Sequence, residues 1–362
     1  MNARMMAAAG LAAMVLVAGG TSADVFNMGG TRNADGSWMG LASLETVPVG
    51  NPGNAGELSG AAVGAGGYGP DRICGAVDYV YNIGKYEVTA AQYTEFLNKV
   101  SDVDTYGLYN PSMWSGGYGC KIERFAGAGT AGDPYQYRVA SDWANRPVNY
   151  VSWGDAARFA NWLHNGQPTG AQGLSTTEDG AYFLNGAISD AALLGVTREA
   201  DWKWAIPTED EWYKAAYYKG GSTSAGYWDY PTSSDSDPSK NEIDPDPGNN
   251  ATFLQSEYSP YHRTEVGTHE NSDSPYGTFD QGGNVWEWNE AIPRPLVRGL
   301  RGGGFVANED CMLASYRYDS QTPTEEAYEV GFRVSEVPEP ASVVLLALGG
   351  IGTLLRRTGI RR

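Results

Sequence analysis

Three stretches of this chain carry apolar residues at helical spacing, and each opens on a hydroxyl side chain with an acid or amide three residues later. In VTAAQYTEFLNKV, Thr89 precedes Gln92, and Tyr93, Phe96, Leu97 and Val100 follow. In VSWGDAARFANWLHN, Ser152 precedes Asp155, then come Ala156, Phe159, Ala160 and Leu163. In IPTEDEWYKAAYYKG, Thr208 precedes Glu211, then Trp212, Ala215 and Ala216. A hydroxyl at the N-cap accepts a hydrogen bond from an otherwise orphaned amide, and the third residue reaches back to the cap. The pattern predicts three helices, each burying one face. It assigns Asp155 and Glu211 to capping rather than to acid catalysis.

Elsewhere the helical period is missing. The chain is rich in glycine (48), tyrosine (23) and tryptophan (11). That balance predicts a single loop-rich α+β domain held by aromatic clusters. Residues 24–69 are rich in Gly, Asn and Ser and read as turns and short strands, with a weak strand at Glu45–Val49. The stretch GQPTGAQGLSTTEDGAYFLNG predicts a loop with a short hairpin. DYPTSSDSDPSKNEIDPDPGNN predicts a surface loop. No linker divides the chain and no internal repeat is visible.

Lys and Arg number 25 against 43 Asp and Glu, a formal net charge of −18. A nucleic-acid partner, which requires a basic face, is excluded on that ground. Acidity suits an extracellular protein and supplies oxygen ligands for calcium. The three cysteines, Cys74, Cys120 and Cys311, allow at most one disulfide.

Both ends read as processing segments. Residues 1–23 combine Arg4, an apolar run from Ala7 to Val17 and the small residues Thr21, Ser22 and Ala23. This predicts a secretory signal peptide, too short in its apolar core to span a membrane. Residues 24–43 form a Gly-rich lead to a domain over 44–335. Residues 337–362 hold Pro338-Glu339-Pro340, an apolar segment at 341–355 and the basic residues Arg356, Arg357, Arg361 and Arg362. All three parts, in order, resemble the PEP-CTERM sorting signal. That resemblance implies recognition by exosortase-type machinery and delivery to the surface or extracellular matrix of a bacterium. Membrane contact would come through the C-terminal segment alone.

Four further stretches stand in a fixed order: IGKYEVTAAQYTEFLN, RPVNYVSWGDAARFANWL, IPTEDEWYKAAY and GTFDQGGNVWEW. LRGGGFVANEDCMLASYR, followed by GFRV, closes the series. Together they resemble the formylglycine-generating enzyme family, the sulfatase-modifying factors, over roughly residues 44–335. The resemblance implies a single mixed domain related to C-type lectins.

Within DQGGNVWEWNE, Asp280 and Glu287 flank a turn at Gly282 and Gly283, backed by Trp286 and Trp288. Carboxylates joined with backbone carbonyls suit calcium, though such a turn can also be stapled by hydrogen bonds without metal. The family resemblance implies that Asp280 and Glu287 give side-chain oxygens and Gly283 and Val285 give carbonyls. A second family calcium site begins near an asparagine that Asn250 matches.

The family's enzymes oxidise a substrate cysteine to formylglycine with copper(I), held by two cysteines after an Arg-Gly-Gly motif. Soft copper(I) favours paired thiolates. Counting from Arg301-Gly302-Gly303, the first position is Ala307 and the second is Met312. Cys311 lies one residue from register and has no nearby second cysteine. Its acidic neighbours Glu309 and Asp310 disfavour a thiolate. Arg317 and Arg333 match arginines of the closing motif and read as structural. The family's other chemistry, iron held by histidines, lacks support: His164, His262 and His269 show no ligand spacing. The sequence therefore predicts an exported, calcium-stabilised binding or structural module without the copper site. The competing expectation is a copper-dependent oxidase using Cys311. Glycan or peptide ligands would meet the aromatic loops at Tyr106–Tyr118 and Tyr227–Tyr230.

Overall fold

The computed structural model describes residues 30–32, 38–40, 43–60, 71–241, 243–255 and 260–337. The expected signal peptide, most of the Gly-rich lead and the sorting segment beyond residue 337 lie outside these residues.

Each predicted helix forms at its cap. The helices are α1 (Ala90–Val100), the short α2 (Ser112–Ser115), α3 (Trp153–His164), the short α4 (Asp190–Leu194) and α5 (Glu209–Tyr217). Thr89, Ser152 and Thr208 each cap one of the three longer helices, with the side chain three residues on bonding back to the cap amide. In α3, Asp155 Oδ2 accepts from Ser152 N at 2.8 Å. In α5, Glu211 Oε2 accepts from Thr208 N at 2.8 Å.

The apolar faces of α1 and α3 meet in an aromatic core. The Phe159 ring lies 5.3 Å from both Phe96 and Phe332, and 5.7 Å from Trp162. Trp153, Trp162, Trp212 and Trp288 are fully buried. Aromatic area supplies here what a longer aliphatic helix would supply elsewhere.

The strands are short. A four-stranded antiparallel sheet runs β3 (Thr46–Val49), β6 (Tyr81–Gly84), β13 (Ser335–Glu336), β9 (Trp204–Ala205). Val47 pairs with Ile83, and Ser335 pairs with both Ile83 and Ala205. The sheet therefore ties the start of the domain to its end. A second sheet centres on β10 (Trp286–Trp288), flanked by β11 (Leu300–Arg301) and, in parallel, β12 (Val330–Gly331). Three two-stranded ribbons complete the description: β1 (Gly30–Arg32) with β2 (Trp38–Gly40), β4 (Glu57–Ser59) with β5 (Arg72–Cys74), and β7 (Ile122–Ala126) with β8 (Gln136–Val139).

The hairpin expected within GQPTGAQGLSTTEDGAYFLNG does not form. Side chains of α3 take the backbone groups that a ladder would need. Asn161 Nδ2 donates to the carbonyls of Thr177 and Tyr182, both at 2.8 Å, and its Oδ1 accepts from Tyr182 N at 2.8 Å. Arg158 clamps Glu178 by two bonds, and Glu178 Oε2 accepts from Gly186 N. Buried polar groups satisfied in this way gain nothing from pairing with one another.

Candidate functional site

The glycine turn ahead of β10 is built by backbone that ordinary residues avoid. Asp280, Gly283 and Asn284 all have positive φ, at 58°, 84° and 53°. A Cβ at Gly283 would lie 2.4 Å from the Thr252 carbonyl oxygen, so glycine is required there. Gly283 N donates to Gly302 O at 2.9 Å, locking the turn against the Arg-Gly-Gly segment.

The two carboxylates matched to the family calcium site have different partners. Asp280 Oδ2 accepts from Gly267 N at 2.6 Å. Burial pushes its carboxyl up, with His269 and Arg333 pulling the other way. Glu287 is fully buried, and its carboxylate lies in the fork of Arg333, at 2.6 and 2.7 Å, with Trp212 Nε1 at 2.7 Å. The same guanidinium donates to the carbonyls of Gly84 and Phe279, each at 2.9 Å. Arg333 is thus a structural tie, and Glu287 is its counterion. Asp280 is a half-buried carboxyl within the turn, whereas Glu287 is committed to a guanidinium. Among the described residues no three His, Cys, Asp or Glu side chains group into a metal cluster.

A residue that the sequence reading passed over stands beside them. Glu87 is 1% exposed, and neither carboxylate oxygen has a hydrogen-bond partner. Burial pushes its carboxyl well up, Asp280 adds to this, and Arg333 opposes it. Its only local signal is an acid between the apolar residues of KYEVTA.

Asn250 is buried within a different network. Its Nδ2 bonds Asp246 Oδ1, while its own Oδ1 has no partner. Asp246 also accepts from Gly248 N, Asn271 N and Ser272 Oγ, so one carboxylate organises the loop.

At the copper positions, Met312 is fully buried in a cluster with Tyr230, Ala251 and Phe253, and Ala307 packs against the main core. Cys311 is partly exposed, and its Sγ donates to Asn308 Oδ1 at 3.3 Å. Burial raises its thiol first, Tyr316 opposes by a hydrogen bond, and Asp310 and Glu329 raise it further. The acidic neighbours read from sequence are thus a lesser cause than burial. All three cysteines are free thiols, with Cys74 and Cys120 buried in separate clusters. Arg301 and Arg317 both bind Glu209, as does Arg72. Burial raises the Glu209 carboxyl, but these three guanidinium groups overturn that and hold it at about 2. An open pocket of about 600 Å³ beside them includes Arg72, Asp78, Tyr79, Asp210, Glu290 and Ile292. Its charged groups are largely paired with one another, as Arg72 is with Asp210.

The histidines are engaged separately: His164 with Lys203 N, His262 with Gln255 O and His269 with Thr252 Oγ1. Of the candidate aromatic contacts, Tyr230 and Tyr109 are buried. Tyr118 is different. It stacks on Tyr328 at 5.1 Å, with His262 and Phe305 at 4.9 and 5.4 Å. Tyr328 is 36% exposed, so this cluster presents an aromatic face to solvent. Next to Tyr328, burial alone lifts the Glu329 carboxyl to about 7.

The chain belongs to the family defined by the sulfatase-modifying factor enzyme 1-like domain, which it matches over residues 75–337. Residues 336–362 match the PEP-CTERM protein-sorting motif. The fold class is confirmed as α+β and loop-rich. Among solved structures, Treponema denticola variable protein 1 is similar at 19% identity and a TM-score of 0.50, over 83% of this chain and 97% of that one. PvdO from Pseudomonas aeruginosa is similar at 18% identity and a TM-score of 0.45, over 82% and 95%. CarF is similar at 19% identity and a TM-score of 0.43, over 82% and 99%. No curated protein matches the sequence. The sorting motif implies recognition by exosortase-type machinery and export to the cell envelope or surface. No helix among the described residues is long and apolar enough to cross a membrane. The expected apolar segment at 341–355 lies outside those residues.

Proposed function

We propose that this protein is an exported recognition module that keeps the family scaffold without its copper chemistry. The observation that carries the reading is the fate of the copper positions. A copper(I) site needs two convergent thiolates. Here one position is Ala307 and the other is Met312, which is sealed in an apolar cluster. Calcium stabilises the fold at the 280–287 turn, with Asp280 as a side-chain ligand and the Gly283 and Val285 carbonyls beside it. Glu287, braced by Arg333, holds the turn's far end. Asn250 is the candidate for a second calcium. The ligand, a glycan or a peptide, meets the face formed by Tyr118 and Tyr328, where rings offer stacking surface.

The test is a copper(I) titration of the purified protein, followed by mass spectrometry of a cysteine-containing sulfatase-type peptide. Neither copper binding nor aldehyde formation is expected. Stoichiometric copper binding lost in Cys311→Ser, with conversion of the peptide cysteine, would establish the oxidase instead. A glycan array and a peptide library then address the ligand. Tyr328→Ala should abolish any saturable binding found, and the absence of any binding would leave a purely structural protein.

A further inference from the structure

Glu87 presents a physical problem. A buried ionised carboxylate without partners is costly by several kcal/mol, so such groups are paired, protonated or bound to metal. Neither Glu87 oxygen accepts a hydrogen bond, at 1% exposure. The chain lays the segment leading into Glu87 against the one leading into Asp280. Residues 84–85 run beside Phe279: Phe279 N donates to Lys85 O at 2.8 Å, and Arg333 bonds Gly84 O and Phe279 O together. Tyr86 stacks on Phe279 at 5.6 Å. Glu87 follows, and its field is felt through Asp280, Arg333 and Glu287.

The cations at hand do not answer it. Arg333 is committed to Glu287 and two carbonyls. Arg263 feels Glu87 but makes no bond to it; one amino group donates to Tyr118 O, and the guanidinium lies over Phe305 at 5.2 Å. His269 faces Asp280 and bonds Thr252. Arg333 thus feels three carboxylates but bonds only Glu287, which leaves both Glu87 oxygens without a partner.

We infer that Glu87 and Asp280 together supply the carboxylates of the calcium site, and that Glu287 acts as a positioning residue through Arg333. This deepens the calcium reading and rests on it. Calcium takes oxygen ligands in flexible numbers, so two carboxylates with neighbouring carbonyls suffice.

The experiment measures melting of the purified protein in calcium and in chelator, and calcium affinity by titration, for wild type, Glu87→Gln and Glu287→Gln. Glutamine copies a protonated Glu87 in shape and charge. If Glu87 is a ligand, Glu87→Gln weakens calcium binding by at least about tenfold and loses the calcium-dependent rise in melting temperature. Glu287→Gln should melt lower in both conditions yet keep that rise. If Glu87→Gln melts as high as wild type and keeps its calcium affinity, Glu87 is protonated or water-bridged; the inference then fails while the calcium reading stands. A wild type blind to calcium overturns both. Should Glu87→Gln not fold, Glu87→Asp keeps the charge and should bind calcium with reduced affinity. Unchanged affinity in that variant would also overturn the assignment.

Discussion

At the scale of single residues, the interior is governed by a few buried charges. Glu287 and Arg333 are both fully buried and joined by two bonds. Replacing one member of such a pair leaves the other unpaired, at a cost of about 3–5 kcal/mol. Arg333→Met should therefore lower stability in urea unfolding by about that amount, with or without calcium. A loss under about 1 kcal/mol would show the pair to be dispensable.

Glu326 makes a prediction about pH. Burial raises its carboxyl to about 8, and Asp155 adds to this; Asn110 donates to it and Asp104 also faces it. Its ordinary value is 4.5, so the folded state holds a proton that the unfolded state releases. The linked stability is complete below about 4.5, declines above it and is gone once pH passes about 8. Glu329, lifted to about 7, acts in the same direction. Glu209, held at about 2, acts in the opposite direction and contributes stability above its ordinary 4.5. Melting temperature should fall as pH rises from neutral through 8, and Glu326→Gln should flatten that fall. An identical slope in the variant would remove Glu326 as its cause.

At the scale of elements, the helices are set by their caps. Thr208 accepts from Glu211 N at 3.0 Å, while Glu211 also binds Arg198 and Tyr79. Thr208→Ala removes one cap bond and should cost about 1 kcal/mol in chemical denaturation. Glu211→Ala should cost more, because it also removes two bonds from the Arg198 guanidinium, 10% exposed, and leaves Glu290 as its counterion. Equal losses would mean that Glu211 serves the cap alone. The strands follow another rule. β11, β12 and β13 are two residues each, and β12 and β13 pair with strands distant in sequence, so no local pattern marks them. The β7–β8 ribbon, joined by GAGTAGDPY, carried a turn signal that the sequence reading did not use.

At the scale of the whole molecule, β3 and β13, the first and last strands of their sheet in chain order, flank β6, and Val337 N donates to Lys203 O. The sorting motif thus begins where a firmly paired strand ends. Stability and metal should be linked globally. At a hundredfold excess over its dissociation constant, calcium should add about 2.7 kcal/mol. Asp280→Ala should lower the melting temperature and erase its dependence on calcium. A chelator without effect on the wild type would rule out calcium as a stabiliser.

The sequence alone determined the three long helices, because a cap and its partner are three residues apart and their bonds are local. It also determined the family, the sorting motif and the missing cysteine pair, which are matters of order and identity. The tertiary structure decided what the buried charges do. Glu287 and Arg333 are separated by 46 positions, and Glu87 and Asp280 by still more. Whether a carboxylate meets a guanidinium, a proton or a metal depends on which distant segment folds against it, and no local spacing records that.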